Sequence, residues 1–393
     1  MILTLDLETT TKNKGHPFTP GNFVCSYSYK VNDDPINFVY YTDPAFRTIL
    51  KDLLRRVKVL VLFNGKFDLH WVHNLDIDLN PDTRIFDVSL AEFVLTGQQA
   101  RMASLNDVLS DYGFESKYDK VKEYWELGID TPDIPVEVLE EYNNYDVEGT
   151  YAIYEVQEQL LEKAQQSLVF LMGRDMCTLI QAERAGILFD QEKAKDTIRE
   201  TNERIQETEK ILSGYLPELP KGITFNWDSG DQLSAFLYGG TITYDYATET
   251  PATYQSGEKK GQNYVRRHWH TVQISFQKKF IPLPNSEVEK TKGRSSGETH
   301  FYQTDEPTLK QLKCSTNEQK TLLNELFERA KLIKTVEMLQ SILDKFSTLG
   351  WQDNLIHGQF NQNVAATGRL SSSNPNQQNF SPELKKLMGS RYT

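Results

Sequence analysis

Residues 1–9 read M-I-L-T-L-D-L-E-T and place two acidic side chains at the end of a short apolar run. The run over residues 2–7 predicts a β-strand, and side chains two apart on a strand leave the same face of the sheet. Asp6 and Glu8 are two apart. They therefore point to one side of the predicted sheet, where they can share metal ions.

Strands and helices alternate after this first strand. Alternating aromatic and β-branched positions over 27–41 predict strand, and the run V-K-V-L-V-L-F over 57–63 reads as a buried strand. Residues 46–57 have helical spacing, and residues 135–164 read as a helix with a proline near its start. This order predicts an α/β domain with a mixed sheet that ends near residue 160.

Two further carboxylates belong to later segments. Asp68 ends the run F-N-G-K-F-D after the buried strand, and Tyr142 and Asp146 are four apart on the later helix, so both project from one face. Hydrolysis of a phosphodiester needs an activated water and a stabilised leaving oxygen, which two divalent ions provide together. Hard oxygen ligands favour Mg²⁺ or Mn²⁺. The sequence thus predicts a two-metal site of Asp6, Glu8, Asp68 and Asp146, in which Tyr142 orients the attacking water.

The joint order of D-x-E on a strand, N-x-K-F-D after a buried strand and Y-x-x-x-D on a helix resembles the DEDD exonuclease superfamily, in the variant with Tyr in its third motif. The resemblance implies a ribonuclease H-like fold, contact of Asn64 with the substrate strand and metal binding by Asp68. Lys66 lies in the same motif, where DNA contact and the shielding of a carboxylate are both open.

Three other residues near these motifs have alternative interpretations. His70 and His73 allow a zinc site, but their helical spacing beside Trp71 favours ordinary packing. Asp87, in R-I-F-D-V-S, resembles an acidic position that recurs after the second motif of the superfamily. We expect it to support the site or the fold rather than to react.

A second resemblance lies near the end of the chain. T-G-R-L-S-S over 367–372, followed by N-P-N-Q-Q-N over 374–379, closely matches the T-G-R-L-S-S-x-x-P-N-L-Q-N signature of family A DNA polymerases. The glycine lets the backbone approach a duplex, and Arg369 can donate forked hydrogen bonds to minor-groove acceptors. The resemblance adds Asn376 and Gln378 as DNA contacts, whereas Gln377 stands where the family has Leu.

The middle of the chain reads as mainly helical. The pattern over 167–214 is helical with a break at Gly186 and a restart at Asp190, a plausible N-cap. Helical spacing resumes at Glu306 and continues to Phe346 as one apolar stripe, which we interpret as core. These segments resemble the family's thumb. The resemblance predicts an exonuclease domain over 1–160, a thumb over 161–350 and the first part of a palm over 351–393.

Residues 240–300 differ from their surroundings and predict an insertion of short strands and loops in the thumb. The whole chain has a net charge of −12, and residues 1–160 hold 27 acidic against 14 basic side chains, whereas residues 251–300 hold 9 basic against 4 acidic. Basic pairs at 259–260, 266–267 and 278–279 alternate with aromatic residues. The insertion is therefore interpreted as a surface loop domain, a contact for DNA or an acidic partner, or a site for a processivity factor.

The two resemblances together imply the N-terminal portion of a bacteriophage-type replicative DNA polymerase. They imply action on single-stranded DNA 3′ ends and primer-template DNA. The palm carboxylates of the family follow the T-G-R-L-S-S motif beyond residue 393, so polymerisation is expected to need a second polypeptide with palm and fingers. A free-standing DNA exonuclease and a non-catalytic DNA clamp remain alternatives.

Cellular location is predicted from what the first residues and the cysteines indicate. No basic leader and no long apolar stretch precede the first acidic residues, which predicts neither a signal peptide nor a membrane anchor. Three widely spaced cysteines support neither a disulfide framework nor a zinc motif. We expect a cytoplasmic protein, in the host cytoplasm if it is viral.

Overall fold

The structure is a computed structural model that describes residues 1–115, 120–257, 259, 261–288 and 301–392. Lys260 and residues 289–300 of the predicted insertion lie outside the described residues. The strands are β1 (Ile2–Thr9), β2 (Val24–Val31), β3 (Asn37–Tyr40), β4 (Val59–Leu62), β5 (Arg84–Asp87), β6 (Ile187–Phe189), β7 (Gly240–Thr253), β8 (Asn263–Phe276), β9 (Glu287–Val288), β10 (Phe301–Tyr302), β11 (Leu355–Ile356), β12 (Gln359–Asn361), β13 (Ser371–Ser373) and β14 (Met388–Gly389).

The helices connect and cover these strands. They are α1 (Phe46–Arg56), α2 (Lys66–Asn74), α3 (Val88–Leu95), α4 (Leu105–Asp111), α5 (Lys120–Glu126), α6 (Val136–Leu160), α7 (Lys163–Ala185), α8 (Gln191–Ser213), α9 (Gly230–Tyr238), α10 (Glu306–Leu309), α11 (Asn317–Leu349) and α12 (Pro382–Lys385). The chain divides into two compact units, Met1–Lys195 with Leu339–Thr393 and Asp196–Met338.

The first unit is built on a five-stranded sheet with the order β3-β2-β1-β4-β5. Strand β1 is antiparallel to β2 and parallel to β4, and β4 is parallel to β5. The predicted mixed sheet of an α/β domain is therefore confirmed.

Strand β1 itself has one apolar face and one largely polar face. Leu3, Leu5 and Leu7 alternate along it and are at most 3 % exposed in the main core. The intervening positions face α6, because Ser26 and Ser28, which pair with Glu8 and Asp6 across β2, donate hydrogen bonds to side chains of that helix. The period-two pattern thus separates the buried leucines of β1 from its polar positions, where a site can form.

The helical segment after this domain differs from its prediction in one respect. Helix α7 ends at Gly186, whose φ of +67° suits glycine, and the next three residues form β6. Strand β6 pairs with β11 on one side and with β14 on the other. These partners lie far away in the chain, so local helical periodicity did not indicate the strand. The predicted N-cap is confirmed, since the Asp190 carboxylate accepts from the Lys193 N–H at 2.9 Å.

The second unit contains the predicted insertion as a long hairpin. Strands β7 and β8 have 14 residues each and pair from Gly240 and Phe276 to Thr253 and Asn263, so they are longer than the short strands expected. The base of the hairpin packs into a core that includes Phe236 and Leu322. The apolar stripe predicted from residue 306 is interrupted, because α10 ends at Leu309 and α11 begins at Asn317.

The domain boundaries at 160 and 350 stay predictions. The two compact units are defined by which residues lie close together in space, so their limits do not test boundaries that follow from a family resemblance. Helix α6 ends at Leu160, at the first of these boundaries. No helix in the described part of the chain is both long and apolar enough to cross a membrane.

Candidate active site

A cleft of about 550 Å³ opens where the end of β1 meets α6 and the turn after β4. Every carboxylate predicted for the metal site contributes to its wall. The cleft is lined by Asp6, Leu7, Glu8, Thr9, Thr10, Thr11, Lys14, Gly15, Phe63, Asn64, Phe67, Asp68, Trp125, Tyr142 and Asp146.

Three of the carboxylates come close enough to share a cation. Asp6, Glu8 and Asp146 each offer one oxygen, and the three oxygens lie within 4.8 Å of one another. Like charges at this separation disfavour joint ionisation unless a cation neutralises them. Because all three donors are hard oxygens, the group fits a divalent cation that prefers oxygen ligands.

Asn143 holds the Asp6 side chain in place. Its side-chain amide donates to the Asp6 carboxylate at 2.6 Å, and its carbonyl oxygen accepts from the Ser26 hydroxyl at 3.2 Å. Asn143 is fully buried. No sequence motif indicated this residue, although it stands between Tyr142 and Asp146.

Asp68 lines the same cleft but is anchored differently. The pairing of β1 with β4 ends at Thr4 and Val61, and beyond this point the Leu7 N–H donates to the Asp68 carboxylate at 3.1 Å. Burial raises the pKa of Asp68 well above its usual value, and the nearby carboxylates of Asp87 and Asp146 act in the same direction. A bound cation would oppose this shift, so the position suits a metal ligand.

The turn that precedes Asp68 is fixed by a buried acid. Asn64 has a φ of +54°, and a Cβ on Gly65 would lie 2.3 Å from the Leu62 side chain, so only glycine fits there. The Asp87 carboxylate accepts from the Gly65 N–H at 2.7 Å and caps α3 through the Ser89 and Leu90 N–H groups. Asp87 therefore has a structural function, and burial raises its pKa.

The rim beside Tyr142 is formed by Trp125, which no sequence motif indicated. The two rings meet edge to face with centroids 6.1 Å apart. The Trp125 indole N–H donates to the Thr131 hydroxyl at 3.2 Å, and that hydroxyl donates to the Thr9 carbonyl at 2.6 Å. Trp125 is thereby tied to the end of β1 and can offer a flat ring to a base.

Lys66 does not line the cleft. Its ammonium group donates to the Glu183 carboxylate at 2.7 Å and to the Phe360 carbonyl at 2.5 Å. His70 contacts the other Glu183 oxygen at 2.6 Å. Lys66 and His70 thus pack α2 against α7, and DNA contact by Lys66 stays a prediction.

The three residues proposed to contact DNA near the end of the chain lie around β13. Arg369 is exposed, next to Gly368 with a φ of +69°. Asn376 accepts from the Gln378 N–H at 3.2 Å, and the Gln378 side chain donates to the Leu370 carbonyl at 3.0 Å. These two side chains stabilise the loop after β13, and their contact with DNA stays a prediction.

Two known families match separate parts of the chain, one around the cleft and one around β13. A family model described as 3′-5′ exonuclease matches residues 5–162. A second model, described as DNA polymerase family A, matches residues 272–391.

Similar proteins and structures agree with the family models. DNA polymerase I of Treponema pallidum (strain Nichols) is 24% identical over 86% of this chain and 28% of its own length. The DNA polymerase of Bacillus phage SP01 is 24% identical over 87% of this chain and 38% of its own length. The POL domain of Pol1 from M. smegmatis, in complex with DNA primer-template and dNTP, has a TM-score of 0.63 at 17% identity and covers 98% of this chain and 53% of that chain. The chain thus spans about a third of these curated relatives.

The family models indicate a nucleic-acid-processing enzyme, and its exonuclease domain has a ribonuclease H-like fold. The carboxylate cluster lies inside the stretch that matches the exonuclease model. The chain carries a 3′-5′ exonuclease domain, followed by part of a family A DNA polymerase domain.

Proposed function

We propose that this chain removes nucleotides from the 3′ ends of single-stranded DNA by metal-assisted hydrolysis. The observation that carries the proposal is the group of Asp6, Glu8 and Asp146 oxygens within 4.8 Å in the wall of one cleft. Asp68 completes the set of four carboxylates on that wall.

The roles of the side chains follow from their positions. Asp6, Glu8, Asp68 and Asp146 would hold two Mg²⁺ or Mn²⁺ ions, which when bound lower the pKa of a water and stabilise the leaving oxygen. Tyr142 and Glu8 share the cleft and orient the attacking water by hydrogen bonds.

The dimensions and lining of the cleft support a single strand as substrate. A volume of about 550 Å³ is in the range of sites that enclose a small ligand, which suits terminal nucleotides rather than a duplex. Phe67 and Trp125 offer rings for stacking, and Asn64 offers an amide to the strand. A frayed end also enters more easily than a paired one because no base pair has to open.

We expect end-labelled oligonucleotides to show the direction of cleavage. A 5′-labelled single strand should shorten one nucleotide at a time in the presence of Mg²⁺ or Mn²⁺, because the cleft takes a terminus. EDTA should stop the reaction, and an excess of Mg²⁺ should restore it. The measurement is the ladder of products on a denaturing gel over time.

A fully paired blunt duplex and a strand blocked at its 3′ end serve as controls. Both should be degraded at least about tenfold more slowly than the free single strand, since opening a terminal pair costs a few kcal/mol. Release of the 5′ label as a mononucleotide at the earliest times would contradict the proposed direction.

Polymerisation is proposed only for a larger assembly. In the family A DNA polymerases that the T-G-R-L-S-S motif resembles, the palm carboxylates and the fingers follow this motif. We therefore propose that further sequence supplies them, for instance a second polypeptide. Arg369, Asn376 and Gln378 would then contact primer-template DNA, and residues 240–300 would offer a site for a processivity factor. The proposed location is the cytoplasm, of the host if the protein is viral.

Primer extension tests this part of the proposal. The 393-residue polypeptide alone should extend no primer at any nucleotide concentration, and addition of a polypeptide with the family's palm and fingers should allow extension. Extension by the 393 residues alone would refute it. Failure of the two polypeptides to associate would favour a free-standing exonuclease.

A further inference from the structure

The two faces of the β7–β8 hairpin differ in chemistry. In an antiparallel ladder, residues directly opposite each other share a face, and alternate pairs point to opposite faces. Every second pair, starting with Gly240 and Phe276, therefore lies on one face. The alternate pairs, starting with Thr241 and Ser275, lie on the other. All of these paired residues are described.

One face begins in the core and continues outward as an aromatic and basic surface. Ile242 and Ile274 are buried at its base. Further out it presents no acidic side chain among the paired residues. We call this outer part the stacking face, which consists of Tyr246, Thr248, Thr250, Ala252, Tyr264, Arg266, His268 and His270, with Tyr254 adjoining.

Four rings of the stacking face already lie in two tilted pairs. Tyr246 and His270 have centroids 5.2 Å apart at an interplanar angle of 30°, and Tyr254 and Tyr264 have centroids 4.4 Å apart at 33°. The imidazoles of His268 and His270 are held by the Thr250 and Thr248 hydroxyls, at 3.2 and 2.8 Å. The two imidazoles are thus oriented by neighbouring hydroxyls before any ligand binds.

The opposite face carries all the acidic residues of the two strands, and each has a partner. Glu249 pairs with Arg267 at 2.9 Å, and Asp245 accepts from the Thr271 hydroxyl at 2.6 Å. The remaining outer positions include the exposed Val265 and Trp269. The cationic charge of this face is therefore balanced locally, whereas Arg266 on the stacking face meets no acidic residue in the ladder.

We propose that the stacking face binds single-stranded DNA in a sequence-tolerant manner. Ordered rings accept bases of any kind, and Arg266 can contact a phosphate or a base plane. From the level of Tyr246 to that of Ala252 the face is about 20 Å long at roughly 3.4 Å per residue, which matches about six stacked nucleotides. The choice of DNA over other nucleic acids rests on the proposed function, but the surface lies outside the cleft that would cleave the strand.

A closed circle of single-stranded thymidine nucleotides tests the proposal without involving cleavage, because a circle has no 3′ end. Its affinity for the full chain would be measured by fluorescence anisotropy in EDTA. The variant Tyr264→Ser with Arg266→Ser should bind the circle about tenfold more weakly, since one lost base stack and one lost cation each lower affinity severalfold.

The matched control lies one residue away on the other face. Val265→Ser with Arg267→Ser removes the same charge from the same strand and should change affinity by less than about twofold. The conservative pair Tyr264→Phe with Arg266→Lys should keep most of the binding, which separates loss of contact from loss of the hairpin.

Three results would overturn the proposal. Equal weakening by the two serine pairs would indicate general charge attraction. If Val265→Ser with Arg267→Ser lowers the affinity for the circle more than the other serine pair does, DNA binds the opposite face. If both serine pairs keep the full affinity, the hairpin binds a protein partner instead. Cleavage of short linear strands by the unaltered chain is measured in parallel. If the unaltered chain does not cleave them, the exonuclease proposal is refuted, but the proposal for the stacking face is not.

Discussion

Replacing Asp6 by Asn together with Glu8 by Gln should lower the rate of single-strand hydrolysis by at least about a thousandfold, because cation binding at the cluster requires their charge. These replacements remove charge but keep the oxygen that accepts from Asn143, so the buried amide stays satisfied. Initial rates of nucleotide release at saturating Mg²⁺ provide the measurement. We expect the melting temperature to stay constant or to rise, because repulsion among clustered carboxylates is relieved.

Two exposed acids on the same helix as Asp146 provide the control. Glu137→Gln with Glu140→Gln removes equal charge from the start of α6 and should leave the rate within about twofold. If the cluster variant keeps more than about a tenth of the original rate, the two acids do not hold the reacting groups. A collapse of its melting curve would instead assign them to the fold.

Short-range periodicity explains why much of the site was predictable. Asp6 and Glu8 share a face because side chains alternate along a strand, and Tyr142 and Asp146 share a face because four residues nearly complete a helical turn. The structure has both pairs on the wall of one cleft. Each relation depends only on a few neighbouring residues, so it can be read without knowledge of tertiary structure.

The residues that were missed act through distant partners. Asn143 matters because Ser26 and Asp6 lie beside it, and Trp125 matters because Thr131 connects it to Thr9. These partners are separated in sequence, by more than a hundred residues for Asn143, and no local pattern specifies them. The same reason explains why β6 was hidden in a helical segment, since it is a strand only by pairing with β11 and β14.

Glu183 is another residue whose importance depends on distant contacts. It lies in the helical segment over 167–214 that resembles the family's thumb. In the structure its side chain is 2% exposed and accepts from the Lys66 ammonium, the Phe360 N–H at 2.6 Å and His70. Although burial alone would raise the pKa of Glu183, the His70 hydrogen bond and the Lys66 charge lower it overall. It is therefore an ionised carboxylate on which α2, α7 and β12 converge.

Replacing Glu183 by alanine should lower the free energy of unfolding by about 3 to 5 kcal/mol, because Lys66, His70 and the Phe360 N–H lose their common acceptor in a buried place. Urea unfolding followed by tryptophan fluorescence measures the change. Asp52→Ala, which breaks the exposed pair with Arg55, is the control and should shift the midpoint very little. A shift no larger than that of the control would show that the buried network does not stabilise the fold.

The variant Lys66→Met then distinguishes the two roles left open for this lysine. The Lys66 side chain is only 17% exposed. If it serves the Glu183 network, its loss should lower the free energy of unfolding. The affinity of the folded variant for a 3′-ended single strand in EDTA should then stay within about twofold. A lysine that contacts the strand should do the reverse, because the loss of a phosphate contact lowers affinity and flattens its dependence on salt. The ammonium group already donates to Glu183 and to the Phe360 carbonyl, so contact with DNA would require it to leave acceptors that are themselves buried or half-buried. We therefore expect the stability change to dominate, and an unchanged urea midpoint with a weakened and less salt-dependent affinity would overturn that expectation.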